Sequence, residues 1–210
     1  MSEKSKKVLE LLGEFESRNI VYVDPDGSWP IVWEKAKGVN VWDADGKKYL
    51  DLTAAFGVAT AGHANPKVVA AGQEQLAKLP HAMGDVHPHA LKAELARELS
   101  RVTFERWESL ISGKRLTRPS GKTIFCNSGF EAVEAALKTA MMTGGKYGVI
   151  AFTGAYHGLG YGALNATHRE FFRSPFRLQL KEFANFVQFP TKASELPILE
   201  TLIRRFFQRG

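Results

Sequence analysis

The segment CNSGFEAVEAALKTA, Cys126 to Ala140, holds the residue types that an anion site needs. Ser128 with Glu131 three residues later is a capping box, which predicts a helix beginning at Ser128. Gly129 then stands in the first turn, where glycine costs about 1 kcal/mol relative to alanine and no turn demands it. Such a glycine makes sense where a ligand must approach the backbone. The first N–H groups of a helix lack intrahelical acceptors and lie at the positive end of its dipole, so they attract phosphate. The alternative is a plain helix cap.

A second segment, FTGAYHGLGYG from Phe152 to Gly162, sets Tyr156 and His157 among four glycines. An aromatic ring held in a glycine-rich loop can stack on a planar ligand. The alternative is that Tyr156 and His157 only fill space. The other histidines point less to chemistry. His81, His87 and His89 flank Pro80 and Pro88 with no carboxylate at helical ligand spacing, and read as an irregular connection. His63, after Gly62, reads as structural.

These segments need elements to position them. Lys122 to Asn127 (KTIFCN) and Tyr147 to Phe152 (YGVIAF) predict strands on either side of a helix from Gly129 to Met142. Strand, helix, strand is a βαβ unit and implies a parallel sheet. Ligands of such sheets sit beyond the carboxyl ends of the strands, which puts the Tyr156 loop beside the Ser128 helix start. Upstream, residues 6 to 17 show an amphipathic helix carrying Val8, Leu11, Leu12 and Phe15. Ile31 to Lys35, Val39 to Asp43 and Lys48 to Leu52 predict an antiparallel meander, with Asp45-Gly46 as a hairpin turn. Asn65-Pro66 opens a helix through Leu79, and Leu91, Leu95 and Leu99 mark another after Pro88. A last helix, about Glu195 to Gln208, aligns Leu199, Leu202, Ile203 and Phe206. The class is α/β with a smaller N-terminal element.

Composition narrows the function. With 44 % apolar, 24 % charged and 11 % aromatic residues, the chain is neither disordered nor low in complexity. No apolar run approaches the ~20 residues of a bilayer helix, and the Lys- and Glu-rich N-terminus is not a secretory signal. The single cysteine, Cys126, excludes an internal disulfide and a cysteine-built zinc site, and fits a reducing cytoplasm. The net charge of +6 draws on Lys114, Arg115, Arg118 and Lys122, which lie between Gly and Pro residues and read as a solvated loop rather than a nucleic-acid patch.

VWDADGKKYLDL with GHANPKVV (Val41 to Val69), then NSGFEAVEAALK, then AFTGAYHG together resemble the class III pyridoxal-phosphate aminotransferases, over about Pro30 to Pro190. That resemblance implies fold type I, with a mostly parallel large domain and a small domain to which the meander belongs. It divides the chain into residues 1–62 of the small domain and 63–210 of the cofactor-binding domain. It implies pyridoxal 5'-phosphate as cofactor, an amine donor and a keto acid acceptor as substrates, and a homodimer. Gly129 and Phe130, helped by the Ser128 hydroxyl, would hold the phosphate. Tyr156, next to His157, would stack on the ring, and Phe56 would line the substrate pocket. Many members carry Arg two residues after the histidine of the YHG motif, where this chain has a buried Leu159. The ornithine and 4-aminobutyrate specificities, and 2-oxoglutarate as acceptor, therefore do not carry over, and Arg169 or Arg173 would have to compensate. None of the lysines sits in the context of the family's Schiff-base lysine, so the 210 residues alone are expected to be inactive. Decarboxylases, racemases and aminomutases share the fold, and an inactive fragment binding a phosphate ligand or a partner is the other reading.

Overall fold

The computed structural model describes residues 3–18, 20–113 and 121–209, so Lys114, Arg115 and Arg118 of the basic stretch lie outside the described residues. Two compact units divide the chain, Met1–His89 and Ala90–Gly210. The division falls after His89, later than the change of character at residues 62 and 63.

In the first unit, helix α1 (Glu3–Phe15) precedes a three-stranded antiparallel sheet of β1 (Trp33–Lys37), β2 (Asn40–Asp43) and β3 (Lys48–Leu50). β1 begins two residues later than its sequence suggests, and its register slips between Trp33 and Lys35. Asp43 organises the second hairpin. Its carboxylate accepts the N–H groups of Asp45 (3.0 Å) and Lys47 (2.8 Å) and the Tyr49 hydroxyl (2.9 Å). Gly46 supplies the φ of +82° that the turn requires. Helix α2 (Pro66–Lys78) starts as its sequence predicts, with the Asn65 side chain accepting the Lys67 N–H at 3.0 Å.

The meander leaves through a strained turn. Ala54, Ala55 and Phe56 all adopt left-handed φ (48°, 49° and 57°), a conformation costing roughly 1–2 kcal/mol per residue without glycine. Asp51 holds it: its carboxylate accepts Thr53 N–H (2.9 Å), Thr53 Oγ1–H (2.8 Å) and Ala55 N–H (2.9 Å), and lies 2.8 Å from His63 Nε2. His63 also pairs by its backbone with Gly38 and sets its ring edge-on to Trp33 at 5.9 Å. This is a structural histidine, as its sequence context suggested. The His63 bond, then the Thr53 hydroxyl, hold the Asp51 carboxyl far below the usual carboxylate range. A carboxyl depressed on folding contributes stability above its unfolded pKa and loses it as pH falls through the folded value. Asp51→Asn is therefore expected to lower Tm at pH 7. Thermal scans between pH 7 and pH 2 should show the gap to wild type narrowing below about pH 4; a gap independent of pH would contradict this role.

The second unit opens with α3 (Ala90–Ser100), which runs through a π-helical turn, Arg101–Glu105, into α4 (Arg106–Ser112). Then follow α5 (Gly129–Gly144), β4 (Val149–Phe152), α6 (Tyr161–Ala166), α7 (Glu170–Arg173), a 3-10 turn at Ser174–Gln179, β5 (Ala184–Val187) and α8 (Leu196–Arg209). The parallel pair is β4 with β5, in register from Val149 opposite Ala184 to Phe152 opposite Val187. α6 and α7 lie on the crossover. The parallel unit is thus displaced from the one its sequence suggested. Lys122–Asn127 joins neither sheet and Ile124 is exposed, because a strand forms only where a neighbour completes its ladder. The core of this unit is Ala151 and Val187 from the sheet, Ala163, Leu164 and Ala166 from α6, and Leu180. On α8, Leu199, Leu202, Ile203 and Phe206 are half-buried, whereas Leu196, Ile198 and Phe207 are exposed. Among the described residues no helix is long and apolar enough to cross a membrane.

Candidate functional site

The first turn of α5 is built as its sequence predicts. Ser128 is the N-cap, extended at φ −146°, and its Oγ accepts the Glu131 N–H at 3.4 Å. The Glu131 carboxylate reaches back to the Asn127 N–H at 2.7 Å, one residue before the cap. With Glu131 N–H taken and Ala132 N–H bonded to the Ser128 carbonyl, the N–H groups of Gly129 and Phe130 have no acceptor among the described residues. The Ser128 hydroxyl proton is also free to donate, since its oxygen is the acceptor in the cap. Three donors therefore converge on one helix start.

Among the described residues nothing accounts for glycine at 129. Its φ is not left-handed, and a Cβ built there meets no atom within 4 Å. Among the described residues the space beside Gly129 is open.

The glycine-rich loop packs against the same helix. A Cβ on Gly158 would lie 2.2 Å from Phe130 Cβ, and one on Gly160 would lie 2.8 Å from Phe130 Cδ2. A third, on Gly162, would lie 2.6 Å from Glu134 Oε2. These glycines are there for close approach, and the loop does stand beside the start of α5. Thr167 ties it down from behind. It is fully buried and accepts the His157 N–H at 2.9 Å, with the carbonyls of Gly158 (3.0 Å) and Ala163 (3.1 Å) in reach of its own hydroxyl. His168 N–H donates to the Ala155 carbonyl at 2.9 Å. Between these ties Tyr156 is 52 % exposed, touching Phe172 edge-on at 5.3 Å, so ring surface remains for a ligand. The His157 side chain is exposed.

Leu159, expected to be buried, is half exposed, because Gly158 and Gly160 take the positions against α5 and leave it outside. Phe56 belongs to the first unit, on the strained turn, and is 97 % exposed. Of the two arginines that could compensate for Leu159, Arg173 is buried. Its guanidinium lies 3.4 Å from Glu182, 3.6 Å from Glu170 and 5.1 Å over the Phe186 ring. Arg169 is exposed and makes no ion pair among the described residues. The sequence alone does not mark Glu134 or Thr167. The only signal is Glu134 standing four residues after Phe130, on the same helix face.

The model of the aminotransferase class-III family matches residues 22–205. This chain belongs to that family. An acetylornithine aminotransferase of Archaeoglobus fulgidus is 39 % identical over 159 residues, 74 % of this chain and 38 % of that protein. A 5-aminovalerate aminotransferase of Pseudomonas aeruginosa is 41 % identical over 129 residues, 61 % of this chain and 28 % of that one. A taurine:2-oxoglutarate aminotransferase of Bifidobacterium kashiwanohense, solved with PLP and glutamate, shares the fold with a TM-score of 0.76 at 23 % identity. That match covers 98 % of this chain and 45 % of the solved one. The chain thus spans less than half the length of these relatives.

Proposed function

We propose that this chain carries the phosphate- and ring-holding part of a pyridoxal-phosphate-dependent aminotransferase. The reaction moves an amino group from an ω-amino acid or other primary amine to a keto acid. The observation that carries the reading is the presence, at the start of α5, of an unencumbered glycine and two unbonded N–H groups next to Phe130, against which the loop bearing Tyr156 packs. The homodimer and the cytoplasm complete this reading.

Each residue has a task the geometry suits. Gly129 and Phe130 donate their N–H groups to the phosphate, and the Ser128 hydroxyl adds a third donor. The absent Cβ at 129 lets the phosphate come close. Tyr156 supplies a flat apolar face against the pyridine ring and keeps water off it, while His157 borders the same place. Leu159 borders the substrate end, where an apolar side chain offers no charge to a carboxylate, and Phe56 keeps the substrate-pocket role that the family resemblance implies. Bound there, the cofactor supplies an electron sink for the bond broken beside the amine.

Stacking uses the ring and not the hydroxyl, which gives a test. In the intact protein, absorbance titration with pyridoxal phosphate should find Tyr156→Phe close to wild type. Tyr156→Ala should bind roughly 5- to 10-fold more weakly, since an aromatic contact is worth about 1 kcal/mol or a little more. Equal affinity for the two variants would make Tyr156 mere packing.

A further inference from the structure

We propose that Glu134 is a positioning residue that keeps the Tyr156 loop in register with the first turn of α5. The proposal rests on the reading of that turn and loop as one cofactor site. Glu134 stands one helical turn beyond Phe130, so both side chains face the glycine-rich segment. Phe130 meets Gly158 and Gly160. Glu134 meets Gly160 and Gly162, where added Cβ atoms would lie 3.0 Å from Oε1 and 2.6 Å from Oε2. Its Oε1 also accepts the Ala163 N–H at 2.8 Å.

That bond replaces a missing cap. The N-cap of α6 is Gly160, which has no side chain to offer the first-turn N–H groups. Glu134 provides an acceptor from a different helix. From Ala163 the contacts continue to Thr167 Oγ1 at 3.1 Å, and from Thr167 to the His157 N–H at 2.9 Å. The neighbour of Tyr156 is thus linked to α5 through Ala163 and Thr167.

Removing the carboxylate leaves the Ala163 N–H unsatisfied and opens a gap against glycines that cannot fill it. The loop should loosen. The first turn of α5 should not, because Ser128 and Glu131 cap it independently. Phosphate binding and ring binding then respond separately, which a general loss of stability would not produce.

The experiment compares Glu134→Ala and Glu134→Gln with wild type, by amide hydrogen exchange and by titration with inorganic phosphate and with pyridoxal phosphate. In Glu134→Ala, exchange at Ala163 and His157 should rise by about 10-fold or more. Pyridoxal phosphate should bind several-fold more weakly and inorganic phosphate as before. Glu134→Gln keeps an acceptor and should restore both properties. Unchanged exchange in Glu134→Ala, or a glutamine variant as loose as the alanine one, overturns the proposal. Should Glu134→Ala not fold, Thr167→Val against Thr167→Ser reads the same linkage from the other end. Faster exchange at the Ala163 N–H, which Glu134 and not Thr167 accepts, in the valine variant alone supports it, and equal exchange there in both overturns it. A wild-type protein that binds no pyridoxal phosphate while the exchange pattern holds counts against the cofactor reading alone.

Discussion

Replacing Gly129 with valine is expected to weaken pyridoxal phosphate binding by on the order of 10- to 100-fold, the worth of one hydrogen bond to a charged group. In the proposed site the branched side chain would occupy the space through which the phosphate reaches the Gly129 and Phe130 N–H groups. Folding should hardly notice. The added Cβ meets no atom within 4 Å, and the backbone there is not left-handed. Valine is also no worse than glycine in a helix, so stability should stay within about 0.5 kcal/mol. The Ser128 cap uses the serine side chain and the Glu131 N–H, and survives. Absorbance titration and a thermal scan on the same preparation separate the two effects. A loss of stability in proportion to the loss of affinity would mean that Gly129 serves the fold.

Gly158 should behave in the opposite way. Gly158→Ala puts a Cβ 2.2 Å from Phe130 Cβ and 3.1 Å from its Cα, at a φ of +115° that L-residues rarely adopt. Backbone strain and overpacking each cost roughly 1–3 kcal/mol, so the variant should lose about 3 kcal/mol or more. In a chain of this size that lowers Tm by about 10 °C. Gly154→Ala is the control. Its φ of +83° is also left-handed, but no atom lies within 4 Å of the built Cβ, so strain acts alone and the loss should be smaller. Equal shifts for the two variants would show that contact with Phe130 does not explain Gly158.

The two glycines also show what a sequence can carry. A capping box and a glycine after it are local features, and Ser128, Gly129 and Glu131 adopt the geometry that local rules dictate. The helices at Pro66 and Gly129 and the Asp45-Gly46 turn were legible for the same reason. The meander strands and β4 are legible too, but the partner of β4 is not, because pairing is made only on folding. Lys122–Asn127 has the composition of a strand and pairs with nothing among the described residues, while the four residues of β5 are too few to show alternation. The loop glycines could be seen as glycines, but their purpose could not. Gly158 answers to Phe130 and Gly162 to Glu134, contacts made only on folding. Thr167, a buried hydroxyl holding the loop from behind, looked like any other threonine.

The role of the α5 start is tested most directly by comparing pyridoxal phosphate with pyridoxal, which differs only in lacking the phosphate. Both should be titrated into wild type and Gly129→Val of the intact protein. If three donors at Ser128, Gly129 and Phe130 hold the phosphate, wild type prefers pyridoxal phosphate strongly. The valine variant then loses most of that preference while binding pyridoxal as wild type does. The same preference in both proteins would contradict the assignment of the phosphate to this turn.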